Sequence, residues 1–365
     1  MHADVFEKFR AVSMEQGRFE VDTAHYVSAP QMACDAMLKK TDFVLDLITE
    51  PAMYLMIESG MSGGVCMISK RHAQANNPMV GNNDPEQPFS YILAWEANNL
   101  YGWAMSQFLP LNRFKWVSQV EWEQIDWQYV GNESILGYIV ECDLEYPPEL
   151  KDAQNDYPLA AERVDNQVEL LSETQVAISR HYARTRSAKN FKLVPNLMSK
   201  KNYVVYYRNI KFYLDHRIRL SKIHRVVSLT QTGWMEPYIS INNRMRAPAK
   251  NDMEKDFYKL MNNAVYGKTC ENQRKRTDID VVNDRVKAAK LVDKPHCLDA
   301  RIFNEKLVGI EMQKVKMLLS KPSYVGFVVL ELSKLLMLKY PIPTYHPIIP
   351  ISLLYFPLNN TSTPN

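Results

Sequence analysis

The sequence contains few cysteines, and none of them lies close to another. The five cysteines stand at positions 34, 66, 142, 270 and 297 of the 365 residues, so no C-x-x-C pair is present. This spacing argues against a zinc site and against a disulfide framework. Scattered cysteines are typical of a reducing compartment, which predicts an intracellular protein, with the nucleus among the candidate locations.

Long apolar runs are missing as well. The first 20 residues contain no apolar segment of the kind that a signal peptide needs. The most apolar late segment, YVGFVVLELSKLLML at 324–338, is interrupted by Glu331, Ser333 and Lys334. Because a membrane span needs about 20 predominantly apolar residues, the sequence predicts no membrane partner.

An excess of one charge sign is also absent. Lys and Arg number 44, Asp and Glu number 41, and the net charge is only +3. The totals therefore do not indicate a nucleic-acid-binding protein, and only the distribution of charge along the chain can do so. With 46% hydrophobic and 23% charged residues, the composition is that of a globular protein. The length favours about two to three domains.

One stretch, from 180 to 225, is strongly basic. It contains thirteen Lys or Arg residues, among them Lys200, Lys201 and Arg208, and Asp215 is its single acidic residue. Tyrosines and phenylalanines are interleaved with these cations. Cations neutralise phosphates and aromatic rings stack on bases, so the stretch predicts binding of a polyanion such as DNA. The alternative is a solvated basic face over a core that uses the tyrosines.

Patterns of apolar residues predict several secondary-structure elements. Strands are predicted at 91–95, 135–144, 202–207 and 222–231. A helix is predicted at 252–276, because acidic residues lie in its first turn and basic residues at its end, as the helix dipole favours. A further helix is predicted at 305–319.

A single carboxylate, Glu96, stands at the end of the strand predicted at 91–95. A polar turn follows it, and then Tyr101 and Gly102. An acid at the end of a buried strand is a candidate ligand for a metal, which usually needs a second carboxylate. Asp143, in the strand predicted at 135–144, is a candidate for the second carboxylate, but it has no turn or phosphate-binding context and is interpreted as structural.

One face of the helix predicted at 252–276 carries polar side chains that suit ligand binding. Lys259, Asn263 and Tyr266 lie at positions i, i+4 and i+7, which places them on one side of the helix. This face offers a cation for a triphosphate and a phenol that can pack on a base, and Gly267 leaves the backbone open to close approach. The alternative is a polar stripe that faces solvent.

A pair of glycines, Gly63 and Gly64, lies in the segment MSGG at 61–64. Glycine removes the side-chain barrier, so a nucleic-acid strand could approach the backbone there. An ordinary turn is the alternative, and the segment alone favours it.

Taken together, these segments resemble the motifs of the protein-primed family B DNA polymerases, the organellar and viral type, and most closely those of Polinton/Maverick transposons. The family's first polymerase motif, D-x-x-(S/N)-L-Y, corresponds to EANNLY at 96–101. Its second, K-x-x-x-N-S-x-Y-G, corresponds to KLMNNAVYG at 259–267, and its Y-x-G-G turn is echoed at 61–64. The segments KDFYKLMNNAVYGKT and KPSYVGF are also similar to segments of the polymerases of this transposon group. The likeness covers roughly residues 3–338.

The resemblance implies an α+β fold in which an antiparallel palm sheet bears Glu96 and helical fingers carry the second motif. It implies a DNA-directed DNA polymerase that transfers nucleotides from dNTPs to a primer on a DNA template, in the replication of a mobile element or virus. A terminal protein serves as primer in such systems. Two magnesium ions about 3.5–4 Å apart activate the primer 3′-oxygen and stabilise the leaving pyrophosphate.

The resemblance also implies roles for individual residues. Glu96 stands where the metal-binding aspartate is expected. Tyr101 stands at the steric gate under the sugar, and Lys259 at the position that grips the triphosphate. These three are the expected catalytic residues.

Other positions fall on the family's binding residues. Asn263 and Tyr266, with Gly267 beside them, would line the nascent base pair. Gly63 and Gly64 would lie along the template strand. The basic stretch falls between the two motifs, where the family carries an insertion that contacts the primer or the terminal protein.

The chain departs from the family pattern in several places. Glu96 replaces an aspartate, Ala264 replaces a serine, and no acidic residue follows Glu331, where the third motif's carboxylate is expected. The acids of the family's exonuclease are not matched either, so proofreading is expected to be absent. The resemblance therefore implies a truncated, degenerate copy, incomplete at both ends. The alternative is a catalytically inactive nucleic-acid-binding remnant.

The same comparison predicts the domain organisation. In chain order we expect the end of an exonuclease domain at 1–60, a linker with the glycine turn at 61–88, a palm with an inserted basic subdomain at 89–250, a fingers helix and return to the palm at 251–338, and a tail unlike the family at 339–365.

Overall fold

The structure, a computed structural model, describes residues 3–14, 19–65, 72–92, 97–165, 172–182, 191–249, 251–314, 316 and 318–339. Within this part of the chain the α-helices are α1 (Ala3–Met14), α2 (Ala29–Thr41), α3 (Pro51–Gly60), α4 (Leu100–Met105), α5 (Gln119–Trp122), α6 (Glu173–Tyr182), α7 (Tyr207–Asp215), α8 (Glu236–Arg246), α9 (Asp252–Thr269), α10 (Arg285–Val292) and α11 (Ser323–Lys339).

The strands form three antiparallel sheets. They are β1 (Leu109–Val117), β2 (Leu136–Glu145), β3 (Glu162–Asp165), β4 (Phe191–Val194), β5 (Lys200–Tyr206), β6 (Arg219–Thr232), β7 (Asp278–Val282), β8 (Cys297–Asn304) and β9 (Leu307–Met312). The largest sheet has the order β1-β6-β2-β5, and the other two have the orders β3-β4 and β7-β9-β8. The molecule is therefore α+β, as predicted.

The four-stranded sheet has the largely buried strand β2 in its interior. β2 lies between β5 and β6, and its Val140, Cys142 and Leu144 are buried in the core. On the alternate positions of the same strand, Glu141 and Asp143 point to the other face of the sheet, as the two-residue period of a strand requires. The strands predicted at 135–144, 202–207 and 222–231 are confirmed.

The helix α9 has the local signals of a stable N-terminus. The Asn251 side chain accepts a hydrogen bond from the Glu254 amide at 2.9 Å, and Asp252 and Glu254 lie in the first turn. Its apolar face packs on α2, α8, α4 and α11. The opposite face stays exposed, which leaves polar side chains available on one side.

The helix α11 is the central element of the core. It is buried along most of its length and packs on α3, α4, α7 and α9 as well as on strands β1 and β5. No helix within the described ranges is both long and apolar enough to cross a membrane.

Two predicted elements need correction. The helix predicted at 252–276 ends at Thr269, where α11 crosses so closely that a side chain at Gly326 would lie 2.6 Å from Cys270 Sγ. The helix predicted at 305–319 is wrong. Residues Leu307–Met312 are the strand β9, paired on both sides, and Gly309 packs under the Phe303 ring.

Most of the strand predicted at 91–95 lies outside the described residues, which leave out 93–96. Tyr91 and Ile92 lie in no strand.

Candidate nucleotide and DNA site

Two tyrosines from distant parts of the chain stack on each other. Tyr101 lies on α4 and Tyr266 on α9, and their ring centroids are 4.0 Å apart with an interplanar angle of 13°. The ring planes are nearly parallel, so the two rings stack rather than meeting edge to face. Burial raises the pKa of the Tyr266 hydroxyl well above its usual range, and Cys270 and Tyr101 raise it further. A tyrosine hydroxyl is protonated at neutral pH even at its ordinary pKa of about 10, and the upward shift keeps this one a hydrogen-bond donor at higher pH as well.

A chain of asparagine amides joins α4 to α9. Asn99 Nδ2 donates to Asn243 Oδ1 at 3.1 Å, and Asn262 Nδ2 donates to the same oxygen at 3.3 Å. Asn242 Nδ2 in turn donates to Asn262 Oδ1 at 2.7 Å. The helix α8, which carries Asn242 and Asn243, thus bridges the two segments that hold the tyrosines.

The start of α4 depends on an unusual backbone conformation. Asn99 precedes the helix in the left-handed region, with φ 54° and ψ 37°, which asparagine adopts more readily than most residues. Its side chain folds over Gly102, where a Cβ would lie 2.3 Å from the Asn99 amide. Gly102 therefore leaves the space that the Asn99 side chain fills beside Tyr101.

The predicted face of α9 is present. Lys259 and Asn263 are exposed, two turns and one turn respectively before the half-buried Tyr266 on the same side of the helix. Lys259 forms no ion pair with any residue that the structure describes. A Cβ at Gly267 would meet no atom within 4 Å, so the fold does not require glycine at this position.

The glycine turn follows directly after α3. Gly60 is held tightly, because a Cβ there would lie 2.8 Å from the Phe327 ring and from Val204. Gly63 and Gly64 are exposed, and a Cβ at either would meet nothing within 4 Å. Neither is needed for packing, so their presence is compatible with the approach of a ligand.

The predicted metal ligand, Glu96, lies outside the described residues. Among the residues that are described, no group of three or more His, Cys, Asp or Glu side chains could hold a metal ion. Magnesium prefers carboxylate and other oxygen ligands. The described residues therefore do not fit a magnesium site by themselves, and no chemical step is assigned to a metal.

Two residues predicted to contact DNA, Lys200 and Arg208, are buried, so this prediction is corrected. Lys200 is 0% exposed, and its ammonium is 2.9 Å from Glu162 Oε1 and also bonded to Asn196. Arg208 is 7% exposed, with its Nε in a fully buried position. Neither cation is presented at the surface, so neither can neutralise a phosphate in this conformation.

Acids from elsewhere in the chain pair with the basic stretch. Lys201, with a 73% exposed side chain, lies 3.0 Å from Asp143, and His224 Nε2 bonds the other oxygen of that carboxylate at 2.8 Å. Arg225 pairs with Glu141 at 2.6 Å. These ion pairs offset only part of the local excess of cations, and residues 183–190 of the stretch lie outside the described part.

Asp143 has the structural role that its sequence context indicated. Burial alone would raise the pKa of its carboxyl, but hydrogen bonds from His224, the Asn202 amide and Lys201 outweigh burial and hold that pKa well below its usual range. The charged carboxylate ties β2 to both of its neighbours, β5 and β6.

The sequence patterns missed the residues that join the site together. Asn243 and Asn262 carry no local signature beyond the asparagine pairs to which they belong. Lys334 has a signal, because it is a cation within an apolar run, and its side chain bonds Ser62 at 3.0 Å beside the glycine turn. Charges buried in apolar helices often mark functional positions.

Known proteins share the fold of this chain but not its sequence. No protein-family model and no curated protein sequence matches it. A solved structure of "Phi29 DNA Polymerase, orthorhombic crystal form" is similar with a TM-score of 0.50 and 12% identity, covering 91% of this chain and 47% of that one. The ternary complex of phi29 DNA polymerase with primer-template DNA and incoming nucleotides gives a TM-score of 0.50 and 13% identity, covering 90% and 46%. The chain thus has a polymerase-like fold and spans about half the length of these structures.

Proposed function

We propose that this chain is the palm and fingers portion of a DNA-directed DNA polymerase of the protein-primed family B type. Its substrates would be dNTPs and a DNA primer on a DNA template. The fold likeness supports a polymerase at the coarse level, since the phi29 structure that matches at the same TM-score holds primer-template DNA and nucleotides. The palm would comprise 89–250 and the fingers 251–338, in the service of a mobile element or virus primed by a terminal protein.

One observation carries the proposal. The two segments that resemble polymerase motifs are 165 residues apart at Tyr101 and Tyr266, yet their rings stack at 4.0 Å. Lys259 and Asn263 are exposed on the same side of α9 as Tyr266. A cation, an amide and two aromatic rings on one open surface suit a nucleoside triphosphate, whose charge, base and sugar need these three kinds of contact.

The motif resemblance and this arrangement together support roles for individual residues. Tyr101 would pack against the sugar, Lys259 would bind the triphosphate as a point charge, and Asn263 and Tyr266 would border the base pair. The exposed Gly63 and Gly64 and the exposed Lys201 would contact DNA. The Glu96 carboxylate would be one oxygen ligand of magnesium, which supplies the charge stabilisation of nucleotidyl transfer when it is bound.

The second candidate is a nucleic-acid-binding protein without catalysis. It is favoured by Glu96, which stands where the family has aspartate and whose side chain is one methylene longer. A misplacement of about 1 Å can lower a reaction rate on the order of 100-fold. DNA binding needs no such precision, so it would persist where catalysis fails.

Primer extension on a labelled primer-template, with magnesium or manganese, separates the two candidates. The polymerase proposal predicts addition of the complementary nucleotide, lost in Glu96→Ala. Glu133→Ala is the matched control, because Glu133 is an exposed glutamate in a turn. Salt-dependent DNA binding with no incorporation by either metal would support the second candidate and overturn the first.

A further inference from the structure

The helix α11 carries a buried ion pair in an otherwise apolar setting. Glu331 and Lys334 lie one turn apart and pair with each other, and they are 1% and 8% exposed. Glu331 Oε2 also accepts a hydrogen bond from the Tyr206 amide at 3.3 Å. Burying two charges costs solvation, and an uncharged pair of similar size is often as stable. Stability alone therefore does not account for the lysine.

The lysine connects α11 to the glycine turn. Lys334 Nζ donates to Ser62 Oγ at 3.0 Å, across 272 residues of sequence. Two positions earlier, Gly60 is held between Phe327 of α11 and Val204 of β5, with no room for a Cβ. The backbone on both sides of Met61 is thus fixed by contacts that include α11.

The next two residues, Gly63 and Gly64, are not held by packing. Gly63 and Gly64 are exposed, and a Cβ at either would meet no atom within 4 Å. Their backbone N–H groups form no hydrogen bond with any residue in the described ranges. Exposed backbone N–H groups without partners are suitable donors to phosphate oxygens.

We infer that Lys334 is a positioning residue, which acts through Ser62 to hold the glycine turn where a DNA template strand lies along it. The ligand is the phosphodiester backbone of that strand, which Gly63 and Gly64 leave room for. Lys334 does not contact the phosphate itself, because its ammonium is enclosed between Glu331 and Ser62. The identity of the ligand rests on the proposed function.

Fluorescence anisotropy of a labelled primer-template, measured over a range of salt concentrations, tests the inference. Ser62→Ala removes the hydroxyl that Lys334 holds, and the expected loss of DNA affinity is roughly 2- to 10-fold, the value of one hydrogen bond. Ser59→Ala is the matched control, since Ser59 lies at the end of α3, three residues before Ser62, and its hydroxyl bonds the Met56 carbonyl instead of Lys334. This control is expected to bind like the wild type.

A second variant removes the ion pair without leaving a lone buried charge. Glu331→Gln with Lys334→Met keeps an acceptor for the Tyr206 amide, and it should lower DNA affinity as much as Ser62→Ala, with no further loss when all three changes are combined. In both variants the slope of log affinity against log salt should stay unchanged. A slope reduced by about 0.7–0.9 in the double variant alone would show that Lys334 contacts a phosphate directly and would overturn the inference.

Two further outcomes would contradict the account in different ways. If the wild type binds DNA and Ser62→Ala binds equally well, the positioning role is wrong while the proposed function stands. If the wild type does not bind DNA at all, the proposed function fails, and the inference fails with it.

Discussion

At the scale of single residues, Lys200 and Lys201 are adjacent in sequence and lie in opposite environments. The first is enclosed with Glu162, and the second is 73% exposed beside Asp143. A sequence window cannot distinguish them, because the counter-charges come from strands that are distant in the sequence. This is why the basic stretch predicted more free cations than the structure presents, whereas the exposed face of Lys259 and Asn263 followed directly from helical spacing.

This contrast gives a paired prediction. Lys200→Met should lower the free energy of unfolding by about 2–4 kcal/mol, because it leaves Glu162 and Asn196 without their buried donor. Lys201→Met should change stability little, since Asp143 keeps His224 and the Asn202 amide, and should reduce the salt slope of DNA binding by about 0.9. Urea unfolding and anisotropy titrations measure the two effects. Equal loss of stability in both variants would contradict the assignment.

Two glycines of the candidate site, Gly102 and Gly267, also differ in their surroundings, and alanine should have opposite effects on stability at these two positions. Gly102→Ala should lower the free energy of unfolding by about 1 kcal/mol, because a Cβ would displace the Asn99 side chain and break its bond to Asn243. Gly267→Ala should raise that free energy by up to about 1 kcal/mol, because alanine favours the helix and meets no neighbour. The Gly267 variant should nevertheless bind nucleotide more weakly. Unchanged nucleotide affinity would show that nothing approaches the backbone there.

At the scale of elements, the Asp143 carboxylate joins strands β2, β5 and β6 and should make the sheet sensitive to acid. Its folded-state pKa is lower than its unfolded value, so its contribution to stability is fully present above about pH 4 and is lost as the pH falls further. The wild type should therefore lose more stability between about pH 5 and about pH 2.5 than Asp143→Asn does. These two pH values lie on either side of the ordinary aspartate pKa of about 3.9. Glu145→Gln, on an exposed acid of the same strand, is the control. An equal loss in wild type and Asp143→Asn would disprove this role.

Elements were predictable from sequence to the extent that their signals are local. The strands of the large sheet follow from apolar patterns, and the start of α9 follows from Asn251 and the acids after it. The end of α9 does not follow from the sequence, because the crossing of α11 near Cys270 is a tertiary contact. The sequence predicts a helix where β9 lies, because the pairing of β9 with β7 and β8 and the packing of Gly309 are not visible in a short window.

At the scale of the whole molecule, the fold brings together segments that are far apart in sequence. Asn99 and Tyr101 meet Asn243, Asn262 and Tyr266 across α4, α8 and α9. The residue types of these segments could be recognised in the sequence through their family resemblance. Their meeting could not be derived from it, because it depends on how α8 packs between the other two helices. The likeness to phi29 DNA polymerase, over about half of that protein, agrees with this arrangement at the level of the fold.

Nucleotide binding tests, without requiring catalysis, the proposal that the stacked pair of Tyr101 and Tyr266 marks the site of the incoming nucleotide. Affinity for each of the four dNTPs is measured on the protein bound to a primer-template whose primer lacks its 3′-hydroxyl. We predict preference for the complementary dNTP, and a loss of roughly 10-fold or more in Tyr266→Ala with DNA affinity unchanged. The control, Tyr129→Ala, removes an 83% exposed tyrosine and should bind normally. Equal affinity for all four dNTPs, or wild-type affinity in Tyr266→Ala, would contradict the proposal.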